Sequence, residues 1–119
     1  MSVRYVESYV HGSKIGVLVE LETVDDFATR TDEFQALAKD LAMQIAASDP
    51  RSVDGSEFDN VVSMTDEIRI SQDAETNLLT QEFIKDPSRS VLDRIKDVEI
   101  KLGAQIKVVR FVRFEAGAT

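Results

Sequence analysis

Apolar and polar residues alternate from Val3 to Leu21. Val3, Tyr5 and Tyr9 fall on one side of an extended segment, and Val6 and Val10 on the other. After His11-Gly12-Ser13-Lys14 the alternation resumes, with Ile15, Val17, Val19 and Leu21 on a shared face. β-Branched residues suit a pleated, half-buried surface, and two such runs around a Gly-containing polar turn predict a β-hairpin. The period then changes. Phe34, Leu37, Ala38, Leu41, Ala42, Ile45 and Ala46 recur every three or four positions, the apolar stripe of a helix. Thr31 is placed to cap it, Asp32 and Glu33 favour the positive end of its dipole, and Pro50 stops it.

Residues 51–80 show no clean period. Ile68 and Ile70 alternate as in a strand, while Met64 and Ile68 also fit a short helix, so neither is assigned and an insertion, deletion or loop is expected there. Asp86-Pro87-Ser88 carries turn chemistry. Ser90 and Asp93 have capping-box spacing, Val91, Ile95, Val98 and Leu102 form a second helical stripe, and Gly103 stands at the left-handed stop position. In the last segment Ile106, Val108, Val112 and Phe114 share one parity, with Val109 and Phe111 on the other. A strand apolar on both sides is expected to be central, or covered on its second face by another body. The order β, β, α, unassigned middle, α, β predicts an α+β fold. Its small antiparallel sheet joins the N-terminal hairpin to the C-terminal strand, and the helices pack on one face. Val6, Val10, Leu18, Val109 and Phe111 are left for the second face, which reads as an interface.

Composition narrows the function. The chain has 119 residues, enough for one domain over 1–119 with its own core. It contains no Cys, which excludes disulfides, thiolate metal sites and a cysteine nucleophile. A net charge of −8 argues against nucleic acid or an anionic membrane as partner. No apolar run approaches a bilayer span, and the N-terminus reads as a first strand, not a signal peptide.

Catalytic chemistry is hard to assemble. His11 is the single histidine and sits in a turn, where a solvated side chain is expected. Asp25-Asp26 is the best carboxylate pair, but no calcium-loop ligands follow it. Asp54, Glu57 and Asp59 have loop spacing and read as solvated. The glycines form neither a P-loop nor a dinucleotide fingerprint, and Arg110 and Arg113 read as strand-edge ion pairs. No nucleophile, base and orienting group come together, so neither an enzyme nor a cofactor or metal site is expected. Phe27 stands out among polar neighbours. It suits either a hydrophobic staple folded onto the following helix or an aromatic anchor for a partner, and local physics alone favours the staple.

Several segments together change that weighting. Gly16-Val17-Leu18-Val19-Glu20, Asp26-Phe27, Arg30-Thr31-Asp32-Glu33-Phe34 and Leu41-Ala42-Met43-Gln44-Ile45-Ala46-Ala47 resemble translation elongation factor Ts. So do Gln81-Glu82-Phe83-Ile84-Lys85-Asp86 and Arg110-Phe111-Val112-Arg113-Phe114-Glu115. The resemblance is to that family's core, or dimerisation, domain and runs from about Tyr5 to Gly117.

It implies a guanine-nucleotide exchange factor for elongation factor Tu, in the bacterial cytoplasm or an organelle of bacterial descent. In the family an Asp-Phe pair wedges beside the nucleotide's magnesium site on the GTPase. Asp26 and Phe27 match that pair, and Asp25 and Arg30 flank it. The family pattern around the wedge is roughly VNCETDFVAR. Here Asp25 stands for its Thr and Ala28 for its Val, adding a charge and removing an apolar group. The family's N-terminal three-helix module and coiled-coil excursion are absent from this sequence. A single core module implies pairing, either with a second copy as a homodimer or within a longer chain. The alternative to exchange is an interaction or dimerisation module that binds elongation factor Tu, or another translation component, without releasing nucleotide.

Overall fold

The computed structural model describes residues 2–54 and 77–117. Glu57, Asp59 and the segment 61–70, for which expectations were stated, lie outside the described residues. Strands β1 (Val3–His11) and β2 (Ile15–Thr23) form the expected antiparallel hairpin, from Val3 opposite Thr23 to His11 opposite Ile15. Gly12 and Ser13 both have positive φ, +59° and +62°, and Lys14 N–H donates to the His11 carbonyl at 3.0 Å. Two left-handed residues give a tight turn the twist that matches the flanking strands.

A short helix α1 (Asp26–Thr29) precedes α2 (Asp32–Ser48). Thr31 Oγ1 accepts the Phe34 N–H at 3.2 Å, and α2 ends at left-handed Asp49, just ahead of Pro50. Its stripe is fully interior: Phe34, Leu37, Ala38, Leu41, Ala42 and Ile45 are all 0% exposed. It lies directly on β1 and β2, against Val17, Val19 and Leu21.

Beyond the undescribed stretch, Leu78–Thr80 makes a 3-10 turn, with Leu78 buried. Strands β3 (Glu82–Phe83) and β4 (Asp86–Ser90) follow. The reversal falls at Ile84-Lys85, just before the Asp86-Pro87-Ser88 site predicted for it. This short pair tolerates Pro87 because a proline's missing N–H costs little at a sheet edge. Helix α3 (Val91–Leu102) carries the predicted capping box of Ser90 and Asp93 and ends at Gly103, φ +64°. It packs against α2 and the 3-10 turn, and its buried Val91, Ile95 and Val98 belong to the same core as the sheet residues Ile106 and Val108.

Polar groups dock this second half onto α2. The Gln44 side chain, 1% exposed, donates to the Glu82 carbonyl at 3.0 Å and accepts the Ile84 N–H at 3.0 Å. Asp40, also buried, accepts from Lys85 Nζ at 2.6 Å and lies 3.5 Å from Arg94. Buried polar atoms need such partners, so these bonds fix where the segment sits.

Of the two expectations for the C-terminal strand β5 (Ile106–Glu115), a central position or cover on its second face, the first is not met. The sheet order is β1-β2-β5, so β2 is central and β5 is an edge. Its parity also breaks. Arg110 pairs with Glu20 and Val108 with Leu21, which leaves Val109 as an extra residue in a bulge. An inserted residue turns every later side chain to the opposite face. Ile106 and Val108 therefore enter the core, while Val112 and Phe114 face outward at 51% and 70% exposure. Phe111, expected on the second face, packs against the core instead. Arg113 turns inward with it and donates to the Ala46 carbonyl at 3.0 Å, satisfying a carbonyl at the end of α2.

The outer sheet face thus consists of Val6, Val10, Leu18, Val112 and Phe114, with the Phe114 ring edge about 3.4 Å from where a Gly16 Cβ would be. One end of this face is charged. Glu20 accepts from Arg110 Nε at 2.8 Å and from Arg4 Nη1 at 3.1 Å, and Arg4 also pairs with Glu22. The Arg110 hydrogen bond, and then the Arg4 bond and both cations' charges, hold the Glu20 carboxyl below its ordinary 4.5. A depressed folded-state pKa gives stability that is present above the ordinary value and lost as pH falls through the folded one. Urea midpoints should therefore drop on acidification below about pH 4.5, and less steeply for Glu20→Gln. Equal slopes for the two proteins would refute this role for the carboxylate.

Candidate functional site

The site lies where β2 leaves the sheet. Thr23 Oγ1 donates to the Gln105 carbonyl at 2.8 Å and fixes the exit point beside the start of β5. Asp25 is extended, and its carboxylate accepts the Phe27 N–H at 2.8 Å, the N-cap bond of α1. The Arg30 and Thr31 amides close the turn on the Phe27 and Ala28 carbonyls at 3.1 and 3.2 Å. Thr29 Oγ1 donates to the Asp26 carbonyl at 2.7 Å, and Gln35 of α2 reaches the Thr29 carbonyl at 3.3 Å. A helix of four residues has little stability of its own, so these bonds are what hold its shape.

With that turn fixed, direction follows. Ala28 and Thr29 point inward, at 4% and 7% exposure. Phe27 points out, 73% exposed, so it does not form the staple that local physics favoured. Asp26 lies next to it and pairs with Arg30 at 2.8 Å across one helical turn, both side chains open to solvent. All four site residues named from the sequence are therefore gathered on one short element. The two departures from the family pattern acquire a meaning. Aspartate caps a helix as well as threonine does, so Asp25 preserves the turn. Ala28 faces the interior, so the methyl groups a valine would add belong to the core and not to the outer surface.

Three further apolar residues that the sequence does not single out are exposed: Val24 at 57%, Ile84 at 45% and Ile100 at 80%. The signal for Ile100 was available, because it falls off the Val91, Ile95 and Val98 stripe that buries α3. His11 lies apart from α1; its Nδ1 is 3.1 Å from the Tyr9 hydroxyl. Arg110 and Arg113 make the strand-edge pairs expected of them. Among the described residues no helix is long and apolar enough to cross a membrane.

The Asp26-Phe27 pair thus stands exposed on a capped turn. Residues 1–77 match the family described as Elongation factor TS. The chain belongs to the elongation factor Ts family. Elongation factor Ts of Thermodesulfovibrio yellowstonii is 38% identical over 136 aligned positions, covering 96% of this chain and 68% of the relative. Those of Finegoldia magna and Heliobacterium modesticaldum are 35% and 39% identical, covering 94% of this chain in each case. The chain spans 64% and 63% of those two proteins.

Proposed function

We propose that this chain is a guanine-nucleotide exchange factor for elongation factor Tu in translation elongation, or the exchange-competent core of one. Membership of the elongation factor Ts family supports the class of activity. The observation that carries the mechanism is Phe27, 73% exposed beside Asp26 on a capped turn. In this reading the Phe27 ring is the wedge and Asp26 is the carboxylate beside it. Asp25 and Arg30 set their directions.

The chemistry needed is modest. No bond is made or broken, so no acid, base or nucleophile is required. The factor binds the nucleotide-free conformation of the GTPase more tightly than the GDP-bound one, and this differential affinity lowers the affinity for GDP. Linkage makes the effect reciprocal: GDP weakens binding of the factor by the same ratio. A rigid wedge suits this role, because contact energy is then not spent on ordering the loop. The test follows release of labelled GDP from elongation factor Tu with and without the chain. Acceleration supports exchange. Binding without acceleration supports the alternative, a non-exchanging interaction module.

The same reading takes the chain as one domain over 1–119, working in the bacterial cytoplasm or an organelle of bacterial descent. It also includes a homodimer through the outer sheet face. Val10, Leu18, Val112 and Phe114 form an apolar surface there, and a second sheet stacked on it would bury both. Val112→Asp is expected to shift sedimentation from dimer to monomer without loss of helical circular dichroism, because Val112 contributes no core contact. An unmodified chain that sediments as a monomer at tens of micromolar would rule out the dimer.

A further inference from the structure

The exposed large hydrophobic residues fall into separate sets. Five share the outer sheet face and Ile84 sits at the β3–β4 reversal, while Val24, Phe27 and Ile100 lie elsewhere. Three ties bring this last set to one end of the molecule. Thr23, adjacent to Val24, is bonded to Gln105 just beyond α3. Glu99, adjacent to Ile100, accepts the Ile106 N–H at 2.8 Å at the start of β5. A groove joins the first turns of α2 to the outer side of α3, with Asp32, Glu33 and Ala36 on one wall and Arg94, Ile100 and Lys101 on the other. Because α2 follows α1 almost directly, that groove begins beside the wedge.

A single exposed isoleucine needs no explanation. Ile100 differs in degree and in company. It is 80% exposed, adds nothing to the stripe that holds α3, and shares its end of the fold with an exposed phenylalanine. The surroundings are acidic. Asp25, Asp32 and Glu33 border the wedge and the groove; against them stand Lys101 on the groove wall and two cations already engaged, Arg30 by Asp26 and Arg94 by Asp40. Apolar anchors inside a charged rim are the pattern of a protein docking surface.

We propose that Ile100 is a second apolar anchor for the partner that Phe27 engages, so that α1 and α3 form one acidic-rimmed surface. This rests on the exchange-factor reading and extends it. The matching surface on the GTPase is apolar at two points, one for each anchor, and rimmed by lysine or arginine. Opposite charges across such a rim act mainly on the rate of encounter and are screened by salt.

The experiment titrates the chain against elongation factor Tu carrying GDP and measures affinity and GDP release at low and high salt. Ile100→Asp is expected to weaken binding by about thirtyfold or more and Ile100→Ala by roughly fivefold, in the range of moderate to strong interface anchors. Both should keep the unmodified chain's circular dichroism, and binding of the unmodified chain should weaken as salt rises. If Ile100→Asp fails to fold, Ile100→Ala decides, since alanine favours a helix. A folded Ile100→Asp or Ile100→Ala that binds as tightly as the unmodified chain overturns this inference and leaves the exchange reading standing. Salt-independent binding overturns the acidic rim. If the unmodified chain does not bind at all, the functional reading falls and this inference with it.

Discussion

Phe27→Ala is expected to lower the acceleration of GDP release from elongation factor Tu by at least about tenfold, while the unfolding midpoint barely moves. Both halves follow from one observation. The ring is 73% exposed, so removing it opens no cavity, and surface changes of this kind alter stability by about 0.5 kcal/mol or less. Alanine is also the better helix former, so α1 keeps its shape. An aromatic anchor at the centre of an interface, in contrast, contributes about 2 kcal/mol or more to binding, roughly thirtyfold in affinity. The measurement pairs a release assay with urea unfolding of the same preparation. Full exchange activity in the variant would remove Phe27 from the mechanism, whatever else the chain does.

Phe34, seven positions on, should behave in the opposite way. It is 0% exposed, and its ring meets Tyr5 edge to face, centroids 5.1 Å apart and planes at 87°. Phe34→Ala is expected to destabilise the fold by about 4 kcal/mol, the usual cost of emptying an aromatic site in a close-packed core. That sum includes the aromatic pairing, worth about 1 kcal/mol beyond the buried area. Against a typical total stability of roughly 5–15 kcal/mol, the loss leaves little margin. Urea unfolding should show a much lower midpoint with an unchanged slope. Any loss of exchange should track the unfolded fraction, which separates it from the Phe27 variant. A cost below about 1.5 kcal/mol would mean that the cavity collapses, and would refute the picture of a tightly packed α2–sheet contact.

The local devices in this chain were legible because their causes lie within a few residues. Thr31 caps α2 three positions ahead of the amide it accepts, and Ser90 and Asp93 close their box over the same span. Gly103 sits at the one position after α3 that needs a left-handed backbone. The exposed Asp26-Phe27 pair was half legible. Its composition stood out and the family resemblance gave it a role, but the direction of the ring did not follow from neighbours that fit a staple equally well.

What the sequence by itself determined is the hairpin, the two longer helices with their caps, the last strand and the apolar stripes of β2, α2 and α3, but not the short α1 or the β3–β4 pair. Periodicity, β-branching and capping are short-range, and the stripes of α2 and β2 admit only one buried face each. What the tertiary structure alone decided depends on partners distant in sequence. The bulge at Val109 exists only relative to Glu20 and Leu21 on β2, and it sends Val112 and Phe114 outward while Phe111 and Arg113 turn in. Likewise, Ala28 and Thr29 are the residues of α1 that turn inward and Val98 does so on α3, while Phe27 and Ile100 stay exposed. A side chain's exposure is what remains after its neighbours have packed, and no stretch of sequence contains all of those neighbours.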